Sequence, residues 1–333
     1  MNWDKDKLID VKCDNCNLSI VDHVYRRPDD LDIVKCRDCG LHFLNPRPRP
    51  DFIFKLYSED YFRGSNGNPT GYLGYDAASH AVLRRIEARR RLLIARTLGV
   101  SRLGSTLEVG CSTGDLAAIT TPLASDFTGI DISEHAIRIA RQRAPASRFF
   151  CGQIDEVGPA AAGPFDTILS FEVIEHVLSP QAFIKSLAER LKSDGYLVLS
   201  TPNADCGIRL GFDNWLGART SFEHLFFFRL EDLDRLAQNA GLSRVAAATG
   251  CGSGRFENST SKHSVARRLA LALGMRRWIW TLREWRLSKK QPPQLFDYED
   301  NLEHHNIFAL YRKTQICNER NTTGLGLAIR TEP

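Results

Sequence analysis

The side chains best placed to do chemistry begin with Glu172-Val-Ile-Glu175-His176 and a lone His224 within Phe-Glu-His-Leu-Phe-Phe-Phe, residues 222–228. Carboxylates and imidazoles exchange protons near neutral pH and ligate divalent ions. Glu172, Glu175 and His176 stand at i, i+3 and i+4, so a helical turn there would set all three on one face. The candidate catalytic residues are therefore Glu175, His176 and His224, and with Glu172 they make a four-ligand set for a second divalent ion such as Mg or Mn. One alternative is that Glu175 and His176 merely cap and brace a loop. Another makes His224 a lone general base, a role that a pKa near neutrality suits.

A second stretch, Thr-Leu-Glu-Val-Gly-Cys-Ser-Thr-Gly-Asp-Leu-Ala over residues 106–117, carries two incompatible patterns. Gly110-Cys111-Ser112-Thr113-Gly114 fits G-x-S-x-G, the elbow that presents a nucleophilic serine. With one glycine replaced, it also fits the E-x-G-x-G-x-G loop that wraps a nucleotide-like ligand. A nucleophile elbow needs several strands before it, an oxyanion motif, and an acid and a histidine after it in that order. Here the residues before Thr106 read as a cysteine module and helices, with no HGGG-like segment. The ligand loop is better supported. Gly110 and Gly114 let the backbone approach a ligand, and Asp131, 21 residues after Gly110, ends the next strand where a carboxylate can take both ribose hydroxyls. Glu108 would repel a diphosphate and attract the cationic aminoacyl end of S-adenosylmethionine, which favours that ligand over a dinucleotide.

The third group is four cysteines. Cys13-Asp-Asn-Cys16 and Cys36-Arg-Asp-Cys39 are separated by 19 residues, the spacing of a two-knuckle zinc site. Each pair aims two thiolates at one point, and two pairs complete a tetrahedral sulfur shell that suits zinc. Four cysteine ligands leave no open position, so the site is structural. The rival is a redox dithiol. The other five of the nine cysteines are scattered, and an odd count argues against a disulfide framework.

The elements that must position these groups follow from pattern. From Thr106 strands read at 106–109, 127–131, 148–151, 165–171 and 195–200, with helices between them, for example at 133–143 and 180–192. This is the alternation of a parallel, doubly wound α/β sheet, whose ligands bind at the carboxyl ends of the strands. Residues 1–50 form a zinc ribbon and a stiff connector with prolines at 46, 48 and 50; 51–104 a helical cap or linker with an arginine-rich helix; 105–313 the α/β domain; and 314–333 a loose polar tail. The chain has 333 residues, 43% hydrophobic and 25% charged, with a net charge of +4. That charge is too mild to argue for nucleic acid by itself. A charged N-terminus and the lack of a long apolar run point to the cytoplasm.

Taken together, Leu-Glu-Val-Gly-Cys-Ser-Thr-Gly (107–114), Phe-Thr-Gly-Ile-Asp-Ile-Ser (127–133), the segment 165–180 containing Glu172 to His176, Gly-Tyr-Leu-Val-Leu-Ser-Thr-Pro-Asn (195–203) and His-Leu-Phe-Phe-Phe (224–228) resemble class I S-adenosylmethionine-dependent methyltransferases. Cys-Arg-Asp-Cys-Gly-Leu-His-Phe-Leu-Asn-Pro-Arg-Pro-Arg-Pro (36–50) looks like the bacterial subgroup with an N-terminal zinc ribbon. The resemblance covers roughly residues 10–250 and a final strand at 306–313. It implies a Rossmann-like seven-stranded sheet with a helical insert before the last strand. It also implies that Gly110, Cys111, Ser112 and Gly114 line the methionine moiety near Glu108. Asp131 would hold the ribose, Ile132 would pack on the adenine, Gln153 and Ile154 would edge that ring, and Phe171 and Glu172 would border the methyl sulfonium. Ser112 stands where the family usually has glycine, which a negative φ would accommodate. Similar E-x-x-E-H sets with a distal histidine hold a divalent ion in small-RNA 2′-O-methyltransferases, and ubiquinone-pathway O-methyltransferases carry a like segment.

The insert 251–302 is the least legible part. Residues 261–290 hold nine Lys or Arg against one Glu, with leucines and tryptophans at helical spacing. The readings are an amphipathic lid or dimer face, a membrane-surface contact, or a clamp for an anionic substrate. The function expected is O-methylation of a small acceptor: a sugar, nucleotide-linked sugar, lipid-linked glycan or related metabolite. An RNA methyltransferase is the main rival, with the ribbon and basic helices holding phosphates, and a binding protein without turnover is the third. The oligomeric state is open.

Overall fold

The computed structural model describes residues 5–56, 80–120, 124–158, 161–249 and 306–314. The glycine-rich loop at 64–76, the basic insert 251–302 and nearly all of the tail lie outside them. The central domain contains β6 (Gly104–Val109), α3 (Asp115–Thr120), β7 (Ala124–Asp131), α4 (Glu134–Arg143), β8 (Arg148–Cys151), β9 (Phe165–Phe171), α5 (Pro180–Glu189) and β10 (Leu191–Pro202). It continues with α6 (Ala204–Leu210), α7 (Leu216–Arg219), β11 (Phe226–Phe227), α8 (Leu230–Asn239), β12 (Leu242–Thr249) and β13 (Asn306–Lys313). Helix starts follow the expected chemistry: Ser133 and Ser179 accept the backbone N–H of Ala136 and Ala182, and Pro180 opens α5.

Seven strands form one sheet in the order β12-β13-β10-β9-β6-β7-β8. The five strands from β10 to β8 are parallel, and β9 and the 197–201 stretch of β10 are almost continuously buried, as strands covered on both faces must be. The sheet is not wholly parallel, because β13 runs antiparallel to both β10 and β12. The chain leaves β6 for β7 and β8, then crosses back to β9 on the other side of β6. The switch point therefore lies at the carboxyl ends of β6 and β9, where ligands of such sheets bind. Helix α2 (Ala81–Leu98) packs against α3 beside this end, burying Ala88, Ile94, Ala95 and Leu98.

The N-terminal residues do contain strands, contrary to the sequence reading, but none joins the central sheet. β1 (Leu8–Ile9) pairs with β5 (Arg47–Pro48), which leads into α1 (Pro50–Leu56). β2 (Val21–Arg26), β3 (Asp32–Cys36) and β4 (His42–Leu44) form a second sheet whose fourth strand is β11, borrowed from the central domain. The four cysteines converge beside it. The Sγ atoms of Cys13 and Cys39 are 3.4 Å apart, as are those of Cys16 and Cys36, and all four sulfurs lie within 4.8 Å of one another. That is near the ~3.8 Å edge of a tetrahedron with ~2.3 Å zinc–sulfur bonds. Cys206 is disulfide-bonded, although the cysteine count pointed away from a disulfide framework.

The ribbon is not a free-standing module. Its sheet covers Phe226 and Phe227, which share one core with Phe43, Trp215 and Leu44. Polar contacts pin the same face. Asp14 accepts the Gln181 N–H at 2.8 Å, Arg47 donates to the Leu178 carbonyl at 3.1 Å, and Arg235 donates to the Cys39 carbonyl at 2.9 Å. Among the described residues no helix is long and apolar enough to cross a membrane.

Deleting residues 5–48 would strip this cover from Phe226 and Phe227. The truncated chain is expected to bind a hydrophobic dye and to melt several degrees lower; an unchanged melting temperature with no dye binding would contradict the shared core.

Candidate active site

The glycine loop after β6 is built on positive φ. Gly110, Ser112 and Gly114 have φ of 79°, 47° and 74°. The expectation of a negative φ at Ser112 is thus overturned: the loop imposes the left-handed conformation a glycine would take, and the serine adopts it at a cost of ~1–2 kcal/mol. A Cβ on Gly110 would meet Val173 Cγ2 at 2.3 Å, and one on Gly114 would meet the Ala140 Cα at 2.9 Å. The first of these contacts brings the loop after β6 directly against the loop after β9.

Asp131, at the end of β7, holds this loop in place. Its Oδ2 accepts the Ser112 N–H and its Oδ1 the Ser133 N–H, both at 2.9 Å. The Ile132 N–H also approaches the carboxyl, and a carboxylate with about four acceptor positions still has room for a ribose hydroxyl. Beside it, Ile132 is 38% exposed, unusual for a large apolar side chain at a strand end and suited to covering a flat ring. Gln153 is exposed and bonds Glu156, whereas Ile154 is buried in the core. Cys111 is likewise buried among Ala117, Ile137 and Phe149, so only its backbone can face a ligand.

Glu108 is the unusual group. It is 2% exposed, and its Oε2 has no hydrogen-bond partner among the described residues. Burial pushes its carboxyl up to about 8; the nearby Arg91 opposes this, and Asp115 and Asp131 add to it. Glu108 lines one cavity with Cys111 and Ser112 of the glycine loop, and a buried, unpaired carboxylate oxygen there would favour a cation. Arg91 also lies over the Phe171 ring at 5.5 Å, and Phe171 is packed into the core beneath α2.

After β9 the sequence reading needs correction. Glu172 has φ of 57° and residues 174–176 form a turn, not the helical turn expected. The left-handed residue swings the Glu172 carboxylate toward the Ser200 hydroxyl and Asn306. It therefore does not share a face with the next two candidates. Glu175, His176 and His224 do converge, with ligating atoms all within 4.8 Å. His176 Nε2 and His224 Nε2 lie 3.7 and 4.0 Å from Glu175 Oε1, and the two imidazoles meet edge-on with centroids 4.8 Å apart. His176 Nδ1 faces the Glu223 carbonyl at 3.3 Å. A carbonyl only accepts, so the proton sits on Nδ1 and the Nε2 lone pair points to Glu175.

Burial sets the charges. It raises the Glu175 carboxyl well above its usual range, with Glu172 and Glu223 adding to the effect, and it lowers His176 to about 4. His224 falls well below its ordinary value, first by burial and then by His176 and Arg27. Glu175 Oε2 accepts the Thr201 hydroxyl at 2.9 Å, while Oε1 has no partner among the described residues. Two neutral imidazoles, His224 buried and His176 part-buried, and one unpaired buried carboxylate oxygen are a donor set that a divalent ion would satisfy. Sequence reasoning missed Thr201, Glu223 and Arg27, since none has a spacing signature relative to the motif.

Residues 81–247, half of the chain, match the family described as a methyltransferase domain, and the chain belongs to that family. It is 28% identical over 151 residues to the ubiquinone biosynthesis O-methyltransferase of Idiomarina loihiensis, covering 42% of this chain and 62% of the relative. It is 35% identical over 101 residues to that of Caulobacter vibrioides, covering 29% and 40%. The chain thus spans less than two thirds of the length of either relative. Among solved structures it is similar to the plantazolicin methyltransferase BpumL in complex with SAH, at 18% identity and a TM-score of 0.46 over 80% of this chain and 98% of that one. It is also similar to the N-methyltransferase NodS of Bradyrhizobium japonicum with S-adenosyl-l-homocysteine, at 15% identity and a TM-score of 0.45 over 78% and 98%.

Two loop variants should move stability in opposite directions. Ser112→Gly removes ~1–2 kcal/mol of strain and adds back ~0.4–1 kcal/mol of unfolded-chain entropy, for a net gain of ~0.5–1 kcal/mol. Gly114→Ala should cost more than ~1 kcal/mol. Urea denaturation measures both, and a stabilising Gly114→Ala would refute the loop geometry.

Proposed function

We propose that this chain moves the methyl group of S-adenosylmethionine onto an oxygen of a small acceptor held at the mouth of the crevice between β6 and β9. The observation that carries this reading is the Glu175–His176–His224 cluster. Two of its members, Glu175 and His176, lie on the turn after β9 whose Val173 touches the glycine loop, so acceptor and methyl donor would share one opening. The relatives named as O-methyltransferases support oxygen as the target. Sugars, nucleotide-linked sugars, lipid-linked glycans and related metabolites are the acceptor classes in view.

The residues fit the methyl donor. Glu108 Oε2 would take its ammonium, Gly110 and Gly114 would admit its methionine chain, Asp131 would take the ribose hydroxyls, and Ile132 would cover the adenine. Transfer is an in-line displacement: the methyl carbon leaves sulfur, the sulfur keeps the electron pair, and the acceptor oxygen gains the methyl and loses a proton. The protein aligns the two reactants and excludes water.

The cluster fits a divalent ion better than a histidine base. Burial holds the His224 imidazole well below its ordinary value, so it binds a proton weakly at neutral pH and makes a poor base, while neutral imidazole is the ligating form. Mg or Mn held there by Glu175, His176 and His224 would polarise an acceptor hydroxyl and lower its pKa. The four cysteines would hold zinc as a closed structural site.

Asp131→Ala is expected to weaken S-adenosylmethionine binding at least tenfold, ~1.4 kcal/mol, by calorimetry; unchanged affinity would overturn the ligand placement. A bound ammonium favours ionised Glu108, so binding should release a proton and tighten as pH rises from about 6 to about 7.5, with Glu108→Gln flattening that slope. EDTA should abolish acceptor methylation and Mn should restore it, without loss of cofactor binding. Activity indifferent to both would discard the ion and leave the histidine-base reading.

A further inference from the structure

The ribbon contributes one side chain that the proposed chemistry does not touch but its geometry needs. Arg27, just after β2, is fully buried, as is Asp29. Its Nε donates to Asp29 Oδ1 at 2.9 Å and its Nη2 to Asp29 Oδ2. The other three N–H groups leave the ribbon. Nη2 donates to the Phe222 carbonyl at 2.9 Å, and Nη1 donates to the carbonyls of His224 at 3.1 Å and Ser221 at 3.5 Å. The guanidinium also lies over the Phe222 ring at 5.5 Å. All five donors of one buried fork are thus used, two on its counter-ion and three on a single turn nearly 200 residues away.

That turn carries both groups that complete the site. His224 presents its Nε2 to Glu175, and the Glu223 carbonyl orients His176. We propose that Arg27 is a positioning residue: its guanidinium fixes the Ser221–His224 turn so that the two imidazoles face Glu175, making the ribbon a working part of the candidate site. This rests on the site described under Proposed function. The arrangement asks for arginine specifically. An ammonium is a point charge with three donors and cannot span Asp29 and three carbonyls in one plane.

The imidazole ring currents give a direct readout, since each ring lies in the other's field at 4.8 Å. The experiment records proton–carbon spectra of full-length, zinc-loaded protein with labelled histidine, and compares wild type, His224→Asn and Arg27→Lys. His224→Asn should remove one signal and shift that of His176. If His176 does not shift, the two rings do not meet and both this proposal and the site are overturned. Arg27→Lys should shift both signals toward averaged positions, while zinc content and S-adenosylmethionine affinity stay within about twofold of wild type. A residue that only adds stability would lower the melting temperature and leave both signals in place. That outcome overturns the role of Arg27 while the site stands. Should Arg27→Lys fail to fold, the neutral pair Arg27→Met with Asp29→Leu removes the fork without stranding a buried charge, and the same two outcomes decide.

Discussion

The missing Cβ of Gly110 is the constraint on which the rest of the site depends. With Val173 Cγ2 at 2.3 Å from where that atom would be, no other residue lets the loop after β6 lie against the loop after β9. The sheet order makes those loops neighbours, because the chain reverses its direction of winding at β6. Contact between them brings the two motifs together: the loop that follows Glu108 meets the turn that carries Glu175. Both carboxylates are buried with an oxygen unpaired among the described residues. Both are raised by burial in the same sense, and each fits a cation of different chemistry: an ammonium beside the glycine loop, and a metal ion beside two imidazoles. Buried acids of this kind cost stability unless something positive is bound.

The N-terminal ribbon gives the second layer of the account. A module of this size has little core of its own, and here it shares one with the segment between β10 and α8. The sharing runs through β11, which is the fourth strand of the ribbon's sheet and lies two residues after His224. A turn that supplies a side chain to the proposed ion site would have to be held to within a fraction of an ångström, and a short irregular segment cannot do that alone. The ribbon supplies backbone pairing on one side of His224 and a buried arginine on the other.

Much of the fold was legible in the sequence. The two C-x-x-C pairs announced a four-sulfur site by spacing alone, and the strands from 104 to 202 lie where apolar runs end at glycine or acidic punctuation. What was not legible depends on contacts distant along the chain or on a single dihedral angle. Nothing local shows that β13 enters antiparallel. Nothing in Glu-Val-Ile-Glu-His shows that its first glutamate turns left-handed and leaves the face of the other two, nor that Ser112 accepts the conformation of the glycine it replaces. Nothing in the sequence marks Arg27; the fold places it against residues 221–224, 0% exposed in its side chain beside Asp29. Such long-range burial leaves no periodicity to find.

The central claim is that one crevice holds a sulfonium cofactor at Glu108 and a divalent ion at Glu175. An anomalous-scattering map from crystals grown with S-adenosylhomocysteine and Mn tests it most directly. The account predicts a manganese peak bonded to Glu175, His176 and His224, with the ammonium of the cofactor product on Glu108 Oε2. A product bound elsewhere, or a cluster that stays closed around no peak at saturating Mn, would contradict it.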